Sequence, residues 1–176
     1  MALFDKHDIL SALQRLGQLA QEQGDSIQLV LVGGAAMVLG FDARQSTHDV
    51  DAAILLPREA RKVRQLAARV AVERDWPEDW LNDAAKGYLV GVSDGGVVYT
   101  APGIVVRLPS TAQLLAMKLS AWRDDVDISD ARHLLETLGH TQNAAQIWQA
   151  VEPFLVPGEE LKAQYAFQDL WESLYG

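Results

Sequence analysis

Residues 30 to 55 read VLVGGAAMVLGFDARQSTHDVDAAIL, and the reading of this stretch decides the fold. The run Ile27–Val32 is rich in β-branched and aliphatic residues, which predicts a strand ending in Gly33 and Gly34. Residues 35–39 predict a short apolar helix, residues 41–47 a polar loop, and residues 48–56 a second strand. Side chains alternate faces along a strand, so Asp49 and Asp51 are expected on one side, with Val50 and Ala52 turned toward a core. Aspartate is disfavoured in strands, and the rest of this one is Val-Ala-Ala-Ile-Leu-Leu.

Two neighbouring carboxylates raise the cost of ionising each other. A divalent cation removes that cost, and Mg²⁺ is commonly held by one or two carboxylates together with waters and substrate phosphates. The glycines supply the complementary part. Without a Cβ the backbone can approach a ligand closely, and the first N–H groups of the following helix suit an anion such as a triphosphate. The plainer reading is a turn followed by a solvated edge strand. The glycine pair is not a Walker loop, because no Gly-Lys-Ser/Thr follows, and it lacks the third glycine of a dinucleotide fingerprint.

Gly33, Gly34, the apolar stretch 35–39, Arg44, Ser46, Thr47, Asp49, Val50 and Asp51 follow one another in an order that resembles the signature of the nucleotidyltransferase superfamily typified by DNA polymerase β. Within it the chain is similar to the AbiEii-like toxin nucleotidyltransferases and related small bacterial proteins. A second block also matches. It is the apolar helical run 114–121 with Lys118, followed by Arg123, Asp124, Asp127 and Asp130.

The resemblance implies Mg²⁺, or Mn²⁺ in its place, held by Asp49 and Asp51. It implies a nucleoside triphosphate cradled by Gly33, Gly34, Arg44 and Lys118. Ser46 or Thr47 would donate to a phosphate or cap the turn. Asp130 or Asp127 would assist catalysis at the acceptor. The implied reaction moves a nucleoside monophosphate to a hydroxyl of an acceptor, with RNA (tRNA included), a protein side chain or a small molecule as candidates. One departure stands out. Polymerase-β-type enzymes carry a third carboxylate on a later strand, and the strand expected to match, 104–108, holds Val105, Val106 and Arg107 but no acid. A second reading is therefore a binding or regulatory module without turnover, such as one partner of a toxin–antitoxin pair.

The chain of 176 residues, 49% hydrophobic, can bury a substantial core. It has no cysteine, which excludes disulfides, thiolate nucleophiles and cysteine-ligated zinc. A net charge of −9 disfavours general nucleic-acid binding. The local basic face formed by Arg58, Arg61, Lys62, Arg64 and Arg69 is the exception. No run is long and apolar enough to span a membrane, and the N-terminus has no apolar signal region, so a cytoplasmic protein is expected.

Around the central stretch the periodicity predicts a helix over 3–23 and a helix opened by Pro57 and running to Arg74. A short helix over 76–82 would bury Trp80 and Leu81, and a strand is expected over 88–92. A hairpin of 97–100 with 104–108 turns at Pro102 and Gly103. Ser110 and Gln113 read as a capping box ahead of a helix to Trp122. Asp127 or Ser129 would cap the next helix, to Gly139, and two more helices cover 143–155 and 159–174. The expected architecture is α/β (α+β), a small mixed sheet flanked by helices, with a nucleotidyltransferase-like core over 1–109 and a helical region over 110–176. The four histidines show no ligand spacing, and the five tryptophans read as packing residues.

Overall fold

A computed structural model describes residues 2–176. Its strands are β1 (Phe4–Asp5), β2 (Ile27–Val32), β3 (Ser46–Thr47), β4 (Val50–Leu56), β5 (Leu81–Asn82), β6 (Val97–Ala101) and β7 (Ile104–Arg107). Its α-helices are α1 (Lys6–Glu22), α2 (Gly33–Gly40), α3 (Ala60–Arg74), α4 (Thr111–Ala121), α5 (Asp125–Gly139), α6 (Ala144–Val151) and α7 (Glu160–Tyr175). The fold is the expected mixed α/β type with helices toward the C-terminus. None of the described helices is long and apolar enough to cross a membrane. The chain forms two compact units. One comprises the residues up to Gly87 with Asp94–Leu108, the other Tyr88–Ser93 with Pro109–Gly176.

The first unit holds a five-stranded sheet ordered β5-β4-β2-β7-β6 and a two-stranded sheet of β1 with β3. Strand β2 runs antiparallel to β4 and parallel to β7, and β5 runs parallel to β4. Leu29, Leu31, Val50, Ala52, Ile104 and Val106 of the sheet are fully buried, as are Ile9, Leu13 and Leu16 of α1 and Val63 and Val70 of α3. These are the apolar positions that the strand and helix periods predict.

Four local expectations give way here. Phe4 and Asp5 are extended rather than helical, because they pair with Thr47 and Ser46. Asp5 then caps α1 in a reciprocal box with Asp8, at 2.8 and 3.0 Å. Helix α3 opens at Ala60 rather than Pro57, whose peptide bond to Leu56 is cis. No helix forms over 76–82. Asp75 ends α3 in the left-handed conformation, and the Val50 N–H donates to the Trp80 carbonyl at 2.6 Å, which draws the following residues alongside β4 as β5. Trp80 is buried as expected, its indole N–H donating to the Ala67 carbonyl at 2.8 Å. Residues 88–92 form no strand. The carbonyls of Val90 and Gly91 accept from the Gln113 side chain instead of from a strand partner. The β6–β7 hairpin forms as predicted around Pro102 and Gly103.

In the second unit Ser110 caps α4, accepting from the Gln113 N–H at 3.1 Å. The expected box is only half made, because the Gln113 side chain turns to the Ser93 N–H and hydroxyl. Asp124, not Asp127 or Ser129, caps α5. The Asp127 carboxylate is drawn inward by cations instead. Trp148, Phe167, Trp171 and Tyr175 form a ladder of ring contacts with centroids 5.3, 6.3 and 4.4 Å apart, the packing role expected of the tryptophans.

Candidate functional site

The pairing of β2 with β4 sets Val32 opposite Asp51. The chain leaves β2 through Gly33, whose φ of +62° lies in the left-handed region. Glycine alone enters that region without strain, and its bare Cα lets the Asp51 carboxylate settle against the turn. A Cβ added at Gly33 would stand 2.9 Å from Oδ2 of Asp51. At Gly34 an added Cβ would strike Oγ1 of Thr47 and lie 2.9 Å from Nη1 of Arg44. Gly33, Gly34, Arg44, Thr47 and Asp51, far apart in type and role, thus meet at one end of the sheet.

Asp49 arrives differently from the expectation. Residues 48 and 49 break the predicted strand, so Ser46 and Thr47 belong to β3 rather than to a loop, and β4 begins only at Val50. Strand alternation therefore does not place Asp49. Two hydrogen bonds do. The Thr47 hydroxyl donates to the Asp49 carbonyl at 3.2 Å, and the Asn82 side-chain amide donates to Oδ2 of Asp49 at 3.2 Å. Asn82 is also the register partner of Asp51 across the β4–β5 pair. Register partners share a face, so Asp49, Asp51 and Asn82 converge. Ser46 pairs through its backbone with Asp5, in the two-stranded sheet. His48 is exposed and its ring Nδ1 lies 2.9 Å from the Ala2 carbonyl.

The strand expected to match the one that carries a third carboxylate does not adjoin β4. Strand β7 lies across β2 from it, with Arg107 opposite Val30. The neighbour of Asp51 on the adjacent strand is Asn82, an amide. Nothing in the sequence points to Asn82, since a two-residue strand has no periodicity to read. Next to it, Asp83 accepts from Arg64 of α3 at 3.0 Å and from Lys86 at 3.4 Å. The Arg64 hydrogen bond, opposed by burial and aided by Lys86, holds the Asp83 carboxyl below the usual range.

The residues of the second sequence block form an ionic cluster within the second unit. Nζ of Lys118 lies 3.0 Å from Asp127 and 2.7 Å from Asp130, and both carboxylates are only 3% exposed. Arg123 adds its side-chain Nε and its backbone N–H to Asp127, each at 3.0 Å. Burial alone would raise the Asp127 carboxyl, but the Arg123 and Lys118 hydrogen bonds outweigh it and lower the pKa to about 2. Arg61 and Arg69 on the basic side of α3 are exposed, as is Arg58 just before it, while Lys62 lies 3.9 Å from Asp25.

A family model described as a nucleotidyltransferase of unknown function (DUF6036) matches residues 8–135. That span holds Gly33, Gly34, Arg44, Asp49, Asp51, Asn82, Lys118 and Asp130, and the chain belongs to this family. No curated protein and no solved structure matches it.

Proposed function

We propose that this member of a nucleotidyltransferase family binds a nucleoside triphosphate with Mg²⁺ and transfers its nucleoside monophosphate to an acceptor hydroxyl. In that transfer the acceptor oxygen bonds to the α-phosphorus. The bond from the α-phosphorus to its leaving oxygen breaks, pyrophosphate departs with the electron pair, and the acceptor proton passes to a base. The observation that carries the proposal is that Asp51 stands against a glycine turn whose missing Cβ leaves room beside its Oδ2, while Asn82, in register with Asp51, donates to Asp49. Two carboxylates form a hard oxygen donor set that suits Mg²⁺, or Mn²⁺ in its place. Bound there, the ion would neutralise charge developing on the phosphates.

Arg44, with its guanidinium over Gly34, is the proposed phosphate ligand, since its planar fork matches phosphate oxygens. The Thr47 hydroxyl, which donates to the Asp49 carbonyl, packs beside it. The Asp127 carboxyl, at about 2, makes a weak base. RNA is the acceptor that the exposed Arg58, Arg61 and Arg69 favour. The lack of an acid on residues 104–108 favours a second reading, a nucleotide-binding module without turnover that serves as one partner of a toxin–antitoxin pair.

Calorimetric titration of each nucleoside triphosphate with Mg²⁺ tests the site, with the Asp49→Asn, Asp51→Asn double variant as control. Metal-dependent binding lost in the variant is the expected result, and undiminished binding there overturns it. Transfer of α-labelled nucleotide to total RNA then separates the enzyme from the module.

A further inference from the structure

We infer that Asn82 is the positioning residue of this site and makes cation capture depend on the nucleotide, an inference that rests on Asp49 and Asp51 being the metal ligands. Three observations place it. Asn82 is in register with Asp51 on the adjoining parallel strand, so its side chain shares the face that carries the Asp51 carboxylate. Its Nδ2 donates to Oδ2 of Asp49 at 3.2 Å. Its Oδ1 accepts from the Ala84 N–H at 3.3 Å, which fixes which end of the amide faces the carboxylate. The segment behind it is tied to α3 through Arg64 and Asp83 at 3.0 Å. Asn82 is therefore held from both sides and turns one oxygen of Asp49.

Its neutrality matters as much as its hydrogen bond. A residue at this register position stands directly beside Asp51 on β5, as Val32 does on β2. An acid there would add a third negative charge to the pair. The amide adds none, and among the described residues no three His, Asp or Glu side chains are grouped to hold a metal. Cation affinity at oxygen sites rises with the number of charged ligands. Two carboxylates alone hold a divalent ion weakly, and the triphosphate oxygens supply the missing charge. Metal and nucleotide thus enter as one unit, and the protein without nucleotide does not retain the ion.

Mn²⁺ uptake, followed by electron paramagnetic resonance with and without a non-hydrolysable nucleoside triphosphate analogue, tests this. The wild-type chain is expected to bind Mn²⁺ weakly alone and at least about tenfold more tightly with the analogue. Asn82→Asp is expected to bind Mn²⁺ alone about tenfold more tightly than wild type, a gain erased by adding Asp51→Asn. Asn82→Ala is expected to keep its melting temperature while losing Mn²⁺ affinity in the presence of the analogue. Equal affinity of wild type and Asn82→Asp for Mn²⁺ alone overturns the inference, as does wild-type binding that the analogue does not improve. Failure of every variant to bind the analogue overturns the nucleotide reading instead, and the Mn²⁺-only comparison still judges Asn82.

Discussion

Gly33 and Asp51 are locked together across the β2–β4 pair: a single methyl group at Gly33 would reach within 2.9 Å of the Asp51 carboxylate oxygen. The register that sets Val32 opposite Asp51 forces this proximity, and the φ of +62° at Gly33 makes glycine the residue that tolerates it.

Gly33→Ala is accordingly expected to cost about 1–2 kcal/mol from the left-handed backbone alone. It should also displace Asp51 and weaken Mg²⁺-dependent nucleotide binding. Thermal melting and calorimetry check both effects, and a variant with intact binding would show that Asp51 does not need its present place.

Arg44→Lys keeps the charge and loses the planar fork. If the guanidinium over Gly34 grips phosphate, affinity for the nucleoside triphosphate should drop by about 1.5–3 kcal/mol, the range for hydrogen bonds to charged groups. Equal binding constants for the two proteins would remove Arg44 from the phosphate site.

Lys118→Ala leaves Asp127 and Asp130 buried without the ammonium that lies 3.0 and 2.7 Å from them. Breaking a buried ion pair from one side costs about 3–5 kcal/mol. Urea denaturation should show that loss, and adding Asp127→Asn and Asp130→Asn should recover part of it. A midpoint unchanged by Lys118→Ala would mean the cluster contributes nothing to stability.

The same cluster sets an acid response. The Asp127 pKa is lowered to about 2, below the ordinary carboxylate value of 3.8, so its ion pairs stabilise the fold above about pH 4. That contribution, on the order of 2 kcal/mol, is lost as the pH falls from about 4 toward 2. Denaturation midpoints across this range should fall more steeply for wild type than for Asp127→Asn; parallel curves would exclude Asp127 as the source.

Trp80→Phe removes a fully buried indole N–H and its hydrogen bond to the Ala67 carbonyl, which keeps its place in α3. The expected loss is about 0.5–1.5 kcal/mol, read from chemical denaturation. It should loosen β5, and with it Asn82.

Much of this architecture is legible in the chain. The apolar run of Ile27–Val32, buried at every residue except Gln28, marks an interior strand, and the 3.6-residue period of α1 and α3 reports which of their faces are buried. The glycine pair, Arg44, Thr47 and Asp51 are likewise visible, because turn and strand chemistry between near neighbours leaves a local trace. The helix anticipated over 76–82 shows the opposite case. Trp80 and Leu81 look like a helical apolar pair, yet the Val50–Trp80 hydrogen bond from a strand some thirty residues earlier makes the segment extended.

What the sequence by itself determined is therefore the set of elements with enough length to show a period, and the carboxylates and glycines whose spacing is local. Only the tertiary structure decided which strand adjoins Asp51, that an amide stands there, that Asp49 is held by Asn82, and that Lys118 is bonded to two buried carboxylates. Each of those depends on strand order, cross-strand hydrogen bonds or ion pairing between separate elements. Such contacts join residues whose separation along the chain carries no periodic signal.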